Sequence, residues 1–136
     1  MNNLLVIGIV ISVCFMLIGC AAKFSREDFL EEYNSNTKIY ILDVRTQGEF
    51  EQGHVPGAVN INVFVLPFRM EEITGDEDEP IVVYCAHGLR AGLAGFFLRL
   101  AGYKNVLHLE GDWVKWQKAG LPAEMSPKKP DEINED

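Results

Sequence analysis

Basic residues are scarce in this chain of 136 residues, which has twelve lysines and arginines against twenty aspartates and glutamates and a net charge of −8. An acidic surface has no electrostatic basis for binding nucleic acid or an anionic membrane surface. Charged side chains are absent altogether before Lys23. Internal repeats and low-complexity segments are also absent, and the length allows one hydrophobic core and one domain.

Cysteine is scarce as well, with Cys14 and Cys20 in a hydrophobic N-terminal segment and Cys85 far from both. If that segment is cleaved before Cys20 and Cys20 is lipidated, Cys85 is the one free thiol of the mature chain. An intramolecular disulfide and a dithiol redox pair are then excluded. Any thiol chemistry must use a single sulfur nucleophile.

The N-terminal segment is an apolar run from Leu4 to Ile18 that leads into Gly19 and Cys20. A small residue directly before a cysteine resembles the lipobox of bacterial lipoprotein signals. The resemblance implies that residues 1–19 are a signal peptide, that Cys20 is lipidated and that residues 20–23 form a short linker. Since two or more acyl chains anchor a protein stably, it implies an extracytoplasmic, membrane-anchored lipoprotein on the periplasmic side.

The alternative for this segment is an uncleaved membrane helix from Leu4 to Ala22, which is barely long enough to span a bilayer. It is kept because no lysine or arginine precedes the run, whereas lipoprotein signals usually begin with a positive residue. Both interpretations tether the domain to a membrane, through a lipid or through a helix.

The main chemical pattern lies where a predicted strand meets a predicted helix. The run 81–84 is apolar and β-branched, as is typical of a buried parallel strand. Cys85 follows it, then the loop 86–89 (Ala86, His87, Gly88 and Leu89), then Arg90. Loop amides, a helix N-terminus and a guanidinium group all stabilise a thiolate. We therefore expect Cys85 to be a nucleophile assisted by Arg90; the alternative is a cysteine buried as a small hydrophobe.

Strands alternate with helices along the chain, which predicts an α/β fold with a parallel sheet flanked by helices. Strands are expected at 38–44, 59–62, 81–84 and 106–109, and helices after Ser25 and Thr46 and at 67–72, 91–100 and 113–118. Thr46 and Glu49 have the spacing of a capping box, and Asp112 is expected to be an N-cap. The long helix is expected to face the core with Leu93, Phe96, Phe97 and Leu100. Residues 124–136 are expected to form a disordered tail.

Three stretches resemble, in the right order, the signatures of the rhodanese (sulfurtransferase) family. They are 40–45 with 49–60, the loop from Cys85 to Arg90, and 111–113 with 119–122. The resemblance implies a single rhodanese-like domain, which we place at 24–123. It also implies a sulfurtransferase that moves sulfane sulfur from thiosulfate or a related anionic donor to a thiol, cyanide or protein acceptor. The sulfur would be carried as a transient persulfide on Cys85, with no other cofactor.

Three residues outside the loop are expected to support it structurally. Asp43 is interpreted as a hydrogen-bonding carboxylate, Arg45 as the ion-pair partner of an acid such as Glu49, and His54 as an imidazole that fixes a turn rich in glycine and proline. A substrate contact by Arg45 and a general base at His54 are the less favoured alternatives. No metal is expected, because the histidines and Cys85 lack the spacing of a zinc site.

Two other functions are compatible with the same loop. A rhodanese-like module could carry sulfur to a dedicated protein, or bind partners, with little turnover of small molecules. A cysteine phosphatase or arsenate reductase shares the cysteine–loop–arginine arrangement, but related phosphatase loops place five residues between the two. Four residues separate Cys85 from Arg90, which favours sulfur chemistry over phosphate chemistry.

Overall fold

The structure, a computed structural model, describes residues 22–35 and 38–126. The predicted signal peptide at 1–19, the predicted lipidation of Cys20 and most of the predicted tail at 124–136, from residue 127 onward, lie outside these ranges, so they stay predictions. Among the described residues, none of the helices combines the length and the apolar character needed to cross a bilayer.

A five-stranded parallel sheet forms the centre of the fold. Its strands are β1 Ala22–Phe24, β2 Tyr40–Asp43, β3 Val59–Asn60, β4 Ile81–Tyr84 and β5 Val106–Leu109, in the spatial order β1-β5-β4-β2-β3. Because β4 is central and all strands are parallel, the loop after β4 lies at the carboxyl edge between β5 and β2, where α/β sheets place ligands. The predicted α/β class is confirmed, but Ala22 and Lys23 belong to an edge strand and not to a linker.

The described residues form four α-helices: α1 Arg26–Asn34, α2 Gln47–Glu51, α3 Leu89–Leu100 and α4 Asp112–Lys118. The first three connect successive strands, and α4 follows β5. The predicted cap of α1 is present, since Ser25 Oγ accepts a hydrogen bond from the Asp28 N–H at 3.0 Å. The predicted capping box at the start of α2 is also present. The helix expected at 67–72 is instead two 3₁₀ turns, Leu66–Phe68 and Met70–Glu72.

The two faces of the sheet bury separate hydrophobic clusters. Ile81 and Val83 of β4 pack with residues of α3, whereas Val82 and Tyr84 pack with Phe29 of α1 and with the two tryptophans of α4. All four β4 residues are completely buried. A strand covered on both faces has no solvent side, which explains why its sequence is apolar without alternation.

The inward face of α3 differs from the sequence prediction. Leu93 and Leu100 are 41% and 70% exposed, and Phe96 and Phe97 are half-buried. The buried residues have the same spacing but start two positions earlier: Ala91, Ala94, Gly95 and Leu98. Small residues allow the helix axis to approach the sheet closely, so close packing decides the face and the largest side chains lie at its margins.

Arg45 pairs with Asp43, which overturns the prediction that Arg45 pairs with Glu49. Its Nη2 donates to Asp43 Oδ2 at 2.6 Å and to the carbonyl oxygen of Gly53 at 2.7 Å. Its guanidinium carbon also lies 4.8 Å from the ring centroid of Trp113. Arg45 and Asp43 are 2% and 0% exposed, so the pair joins the end of β2 to the turn before β3 inside the protein.

Replacing Arg45 by methionine should destabilise the protein strongly, because it leaves the Asp43 carboxylate buried without its partner. Removing one member of a buried ion pair costs about 3–5 kcal/mol. The matched control is Arg69→Met, which breaks the exposed pair of Arg69 with Glu72 and should cost only about 0–1 kcal/mol. The free energy of unfolding in urea measures both, and equal losses would contradict the assigned role of the buried pair.

Candidate active site

The loop between β4 and α3 surrounds the sulfur of Cys85. The Gly88 N–H donates a hydrogen bond to Cys85 Sγ at 3.0 Å. Gly88 has a φ of +104°, in the left-handed region that favours glycine. A Cβ at this position would also lie 3.1 Å from Asp112 Oδ2 and 3.2 Å from His108 Cε1. The glycine therefore lets the backbone curl over the sulfur and pack on the residues beneath it.

The predicted loop residues lie together but differ in exposure. Cys85 is 2% exposed and its side chain belongs to the α3 side of the core. Ala86 is half-buried and His87 is exposed, while Leu89 is 90% exposed. The sulfur is thus covered by a short loop whose outer side chains face solvent.

Arg90, predicted to assist Cys85, is held by Glu49. Its two terminal nitrogens donate to the two carboxylate oxygens of Glu49 at 2.7 and 2.8 Å. The Glu49 hydrogen bond raises the pKa of Arg90, and the nearby Cys85 sulfur contributes in the same direction. The sequence analysis instead predicts that an acid such as Glu49 pairs with Arg45. The spacing of Thr46 and Glu49 indicates a cap, but nothing in it indicates a contact 41 residues away.

Glu49 has a pKa lowered to about 2, first because Arg90 donates to it and then because Thr46 does. A carboxyl that is more acidic in the folded state than in the unfolded chain binds fewer protons when folded. Its contribution to stability is therefore complete above its ordinary pKa of 4.5 and is lost as the pH falls towards 2.

The variant Glu49→Gln should lose stability at neutral pH and show a smaller further loss on acidification than the wild type. The reason is that the amide cannot titrate between pH 5 and pH 2, where the Glu49 carboxylate of the wild type becomes protonated and loses its ion pair with Arg90. Urea unfolding at several pH values measures the difference, with the exposed Glu31→Gln as the control. The same acid slope in wild type and Glu49→Gln would contradict the assignment.

Asp112 and His108 complete the floor of the site, and sequence reasoning missed their roles. Asp112 Oδ1 accepts a hydrogen bond from the Cys85 N–H at 2.8 Å, and its Oδ2 lies 3.0 Å from His108 Nε2. The expected N-cap at Asp112 is wrong, because α4 is capped by Gly111 and Asp112 is its first residue. Asp112 has a φ of +54°, which asparagine and aspartate tolerate better than other non-glycine residues. In the sequence, the one indication of a role for Asp112 in the site is that a polar residue follows Gly111.

Asp112→Ala should destabilise the protein by about 1–3 kcal/mol, because the buried Cys85 N–H loses its acceptor. Asp112→Asn keeps an oxygen in place and should lose clearly less. Thermal and urea unfolding of the two variants measure the comparison. If alanine is tolerated as well as asparagine, the hydrogen bond to Cys85 does not hold the loop.

His54 bonds away from the loop. Its Nδ1 lies 2.8 Å from the carbonyl oxygen of Phe50, and its ring stacks on the Phe50 ring at 3.6 Å. Its backbone exchanges two hydrogen bonds with Glu124, each 2.9 Å long. The imidazole thus fixes the turn through backbone contacts, and Glu124, assigned to the disordered tail, is paired. In residues 22–35 and 38–126 no group of three or more His, Cys, Asp or Glu is arranged to hold a metal ion.

Comparison with known proteins identifies the family. Residues 25–119 match the Rhodanese-like domain. The chain belongs to the rhodanese-like family. A rhodanese-related protein from Thermoplasma volcanium has the same fold, with a TM-score of 0.67 and 27% identity, over 77% of this chain and 99% of that one. The family membership predicted from the three signature stretches is therefore confirmed.

Relatives in the rhodanese-like family have different activities. A sulfurtransferase from Allochromatium vinosum is 38% identical over 100 residues, which cover 74% of this chain and 92% of that protein. A tRNA uridine(34) hydroxylase from Sodalis glossinidius is 33% identical over 109 residues, covering 72% of this chain but 31% of the relative. The match supports sulfurtransferase-like activity at the family level, and the specific reaction has to be argued from the site.

Proposed function

We propose that this rhodanese-like chain is a sulfurtransferase that takes sulfane sulfur from thiosulfate or a related anionic donor. The observation that carries the proposal is the hydrogen bond from the Gly88 N–H to Cys85 Sγ at 3.0 Å. It lies within a loop of four residues between the cysteine and Arg90. An N–H aimed at sulfur stabilises the negative charge of a thiolate and of a persulfide.

In the first half-reaction, the Cys85 thiolate attacks the outer sulfur of the donor. The sulfur–sulfur bond of thiosulfate breaks, sulfite leaves with the bonding electron pair, and a persulfide remains on Cys85. In the second half-reaction, cyanide or a thiolate attacks the outer sulfur of the persulfide, and Cys85 leaves as a thiolate. No oxidant or reductant is consumed, so one cysteine suffices.

Arg90 is suited to steer the donor, because its side chain is 27% exposed. Glu49 holds the guanidinium with two hydrogen bonds and neutralises its charge in the resting site. A donor dianion that reaches the loop would compete with that carboxylate for the guanidinium. We propose that Glu49 orients Arg90 between turnovers and shares it with the anion during the first half-reaction.

A second candidate function, transfer of sulfur to a dedicated protein, is favoured by one feature. Leu89 is the first residue of α3, directly after the active loop, and is 90% exposed. An exposed large apolar side chain beside a nucleophile is suited to contact a protein surface. The chemistry on Cys85 would be the same, and only the second half-reaction would differ.

Incubation of the full-length chain with thiosulfate should add the mass of one sulfur atom to Cys85, and cyanide should remove it. Intact-protein mass spectrometry measures the adduct. The Cys85→Ser variant should show no adduct, because its hydroxyl is a poor nucleophile for sulfane sulfur.

The outcomes of this experiment separate the candidates. A persulfide that forms but resists both cyanide and small thiols would favour transfer to a dedicated protein. If no sulfur donor gives an adduct while a phosphate ester is hydrolysed, the sulfurtransferase proposal is wrong and the phosphatase alternative replaces it.

A further inference from the structure

Helix α3 is apolar on both of its faces. Of its twelve residues only Arg90 and Arg99 are charged, and none is acidic. A helix that is hydrophobic all round is normally buried all round. One face of α3 packs on the sheet, but the opposite face, which the sequence analysis predicts to be the core face, is open to solvent. This outer face therefore needs an explanation.

The outer face of α3 has the spacing of a coiled-coil seam. Its large side chains follow at intervals of four, three and four residues, and all but the half-buried Phe96 are exposed: Leu89, Leu93, Phe96 and Leu100. These are alternating d and a positions of a heptad, at which two helices interlock. The residues buried against the sheet, at positions 91, 94, 95 and 98, are the b, c and f positions on the other side. The helix can therefore pack on its own sheet and on a second helix at the same time.

This seam is complementary to a reversed copy of itself. The intervals of four, three and four residues read the same from either end of α3. In an antiparallel pair Leu89 therefore lies opposite Leu100 of the second copy, and Leu93 lies opposite Phe96 of the second copy. A twofold axis at the middle of the helix produces each contact twice. A dimer of this symmetry requires such a surface, because the same patch has to serve on both subunits.

Charge favours the antiparallel over the parallel arrangement. The acidic run 76–79 lies at the carboxyl end of α3, where the Lys104 N–H donates to the carbonyl oxygen of Glu77 at 3.1 Å. A parallel pair would bring two such runs together, whereas an antiparallel pair places them at opposite ends of the seam. Each of the other three α-helices in the described residues carries a carboxylate in its first turn. In a chain with a net charge of −8, the face of α3 is thus where a second copy meets least repulsion.

The two arginines of α3 do not oppose an antiparallel pair. In such a pair e positions flank e positions and g positions flank g positions. Arg90, at an e position, is then beside Phe97 of the second copy, and Arg99, at a g position, is beside Gly92 of the second copy. Neither guanidinium meets a like charge. Arg90 also keeps its Glu49 partner, which lies outside the seam on α2.

We propose that the outer face of α3 is an interface between two copies of this chain, which pair antiparallel about a twofold axis. The interface does not depend on the sulfurtransferase proposal. A seam of less than two heptads is smaller than a standard protein–protein interface, so the dimer should dissociate at micromolar concentrations. Pairing does not include the cost of forming the helix, because each α3 is already held by its own sheet.

The dimer has a consequence for the active site. Leu89 directly follows the active loop, and Leu100 of the second copy covers it. Each active site then borders on both subunits. The exposed Leu89 side chain is in that case not available to a sulfur-accepting protein unless the dimer dissociates.

Sedimentation equilibrium of the full-length chain, in a detergent of matched density, measures the oligomeric state. The wild type should show an equilibrium between monomer and dimer. The variant Leu93→Gln/Leu100→Gln should weaken the dimer at least about thirtyfold, because each subunit loses two large apolar side chains from the interface. The matched control is Val59→Gln/Met125→Gln, whose side chains are 41% and 75% exposed but lie outside α3. It should dimerise like the wild type.

The other outcomes overturn the inference. A wild type that stays monomeric would leave the face to another partner: the apolar segment 4–18 of the same chain, a different protein or the membrane surface. A dimer that both double variants weaken equally, or that neither weakens, would mean that the copies associate elsewhere. Far-UV circular dichroism checks that each variant is folded.

Charges at the two ends of the seam test the antiparallel register. The variant Leu89→Lys/Leu100→Glu places opposite charges on facing positions, and Leu89→Lys/Leu100→Lys places like charges there. Both variants lose the same two leucines. The first should dimerise about tenfold more tightly than the second, because two attractive pairs replace two repulsive ones. Equal affinities, which a parallel pair would give, or the reverse order would overturn the proposed interface.

Discussion

Cys85 is held by hydrogen bonds at both ends, and the geometry of the site depends on this constraint. Its N–H is bound by the Asp112 carboxylate, and its sulfur accepts from the Gly88 N–H. The first contact joins the end of β4 to the start of α4, and the second closes the loop that leads to α3. Because β4 is buried on both faces, the cysteine can shift only if the core shifts as well. A preorganised site of this kind stabilises charge without having to rearrange during the reaction.

Two arginines near the carboxyl edge of the sheet have different tasks because of their burial. Arg45 is buried together with Asp43, so its charge serves only to pair with that carboxylate and to hold the fold. Arg90 is partly exposed and shares its guanidinium with Glu49 at the surface. An incoming anion can replace a carboxylate at an exposed guanidinium. Displacing Asp43 from the buried Arg45 would instead leave the Asp43 carboxylate unpaired and without solvent. Burial therefore decides which arginine is available for chemistry.

Local patterns predicted those parts of the structure that depend on nearby residues. The caps at Ser25 and Thr46 and the glycine in the loop involve contacts over three residues or the backbone alone, and the strand 81–84 is marked by its own apolar run. The contact of Asp112 with Cys85 spans 27 residues and that of Arg90 with Glu49 spans 41, and no local spacing encodes either. The face of α3 was misjudged for a related reason, since hydrophobicity favours Leu93 while close packing on the sheet favours Ala94.

The asymmetry of charge around the loop follows from the strand order. β2, on one side of β4, leads to α2, which brings Glu49 to Arg90 and neutralises it. β5, on the other side, is flanked by β1 and leads to α4, and these two elements bring Lys23, Lys115 and Lys118 together without acidic partners among the described residues. A double displacement at one sulfur needs a donor and an acceptor to reach the same atom in turn. A parallel sheet with the nucleophile at the end of its central strand places that atom between the loops that follow two neighbouring strands, so different elements set the charge on its two sides.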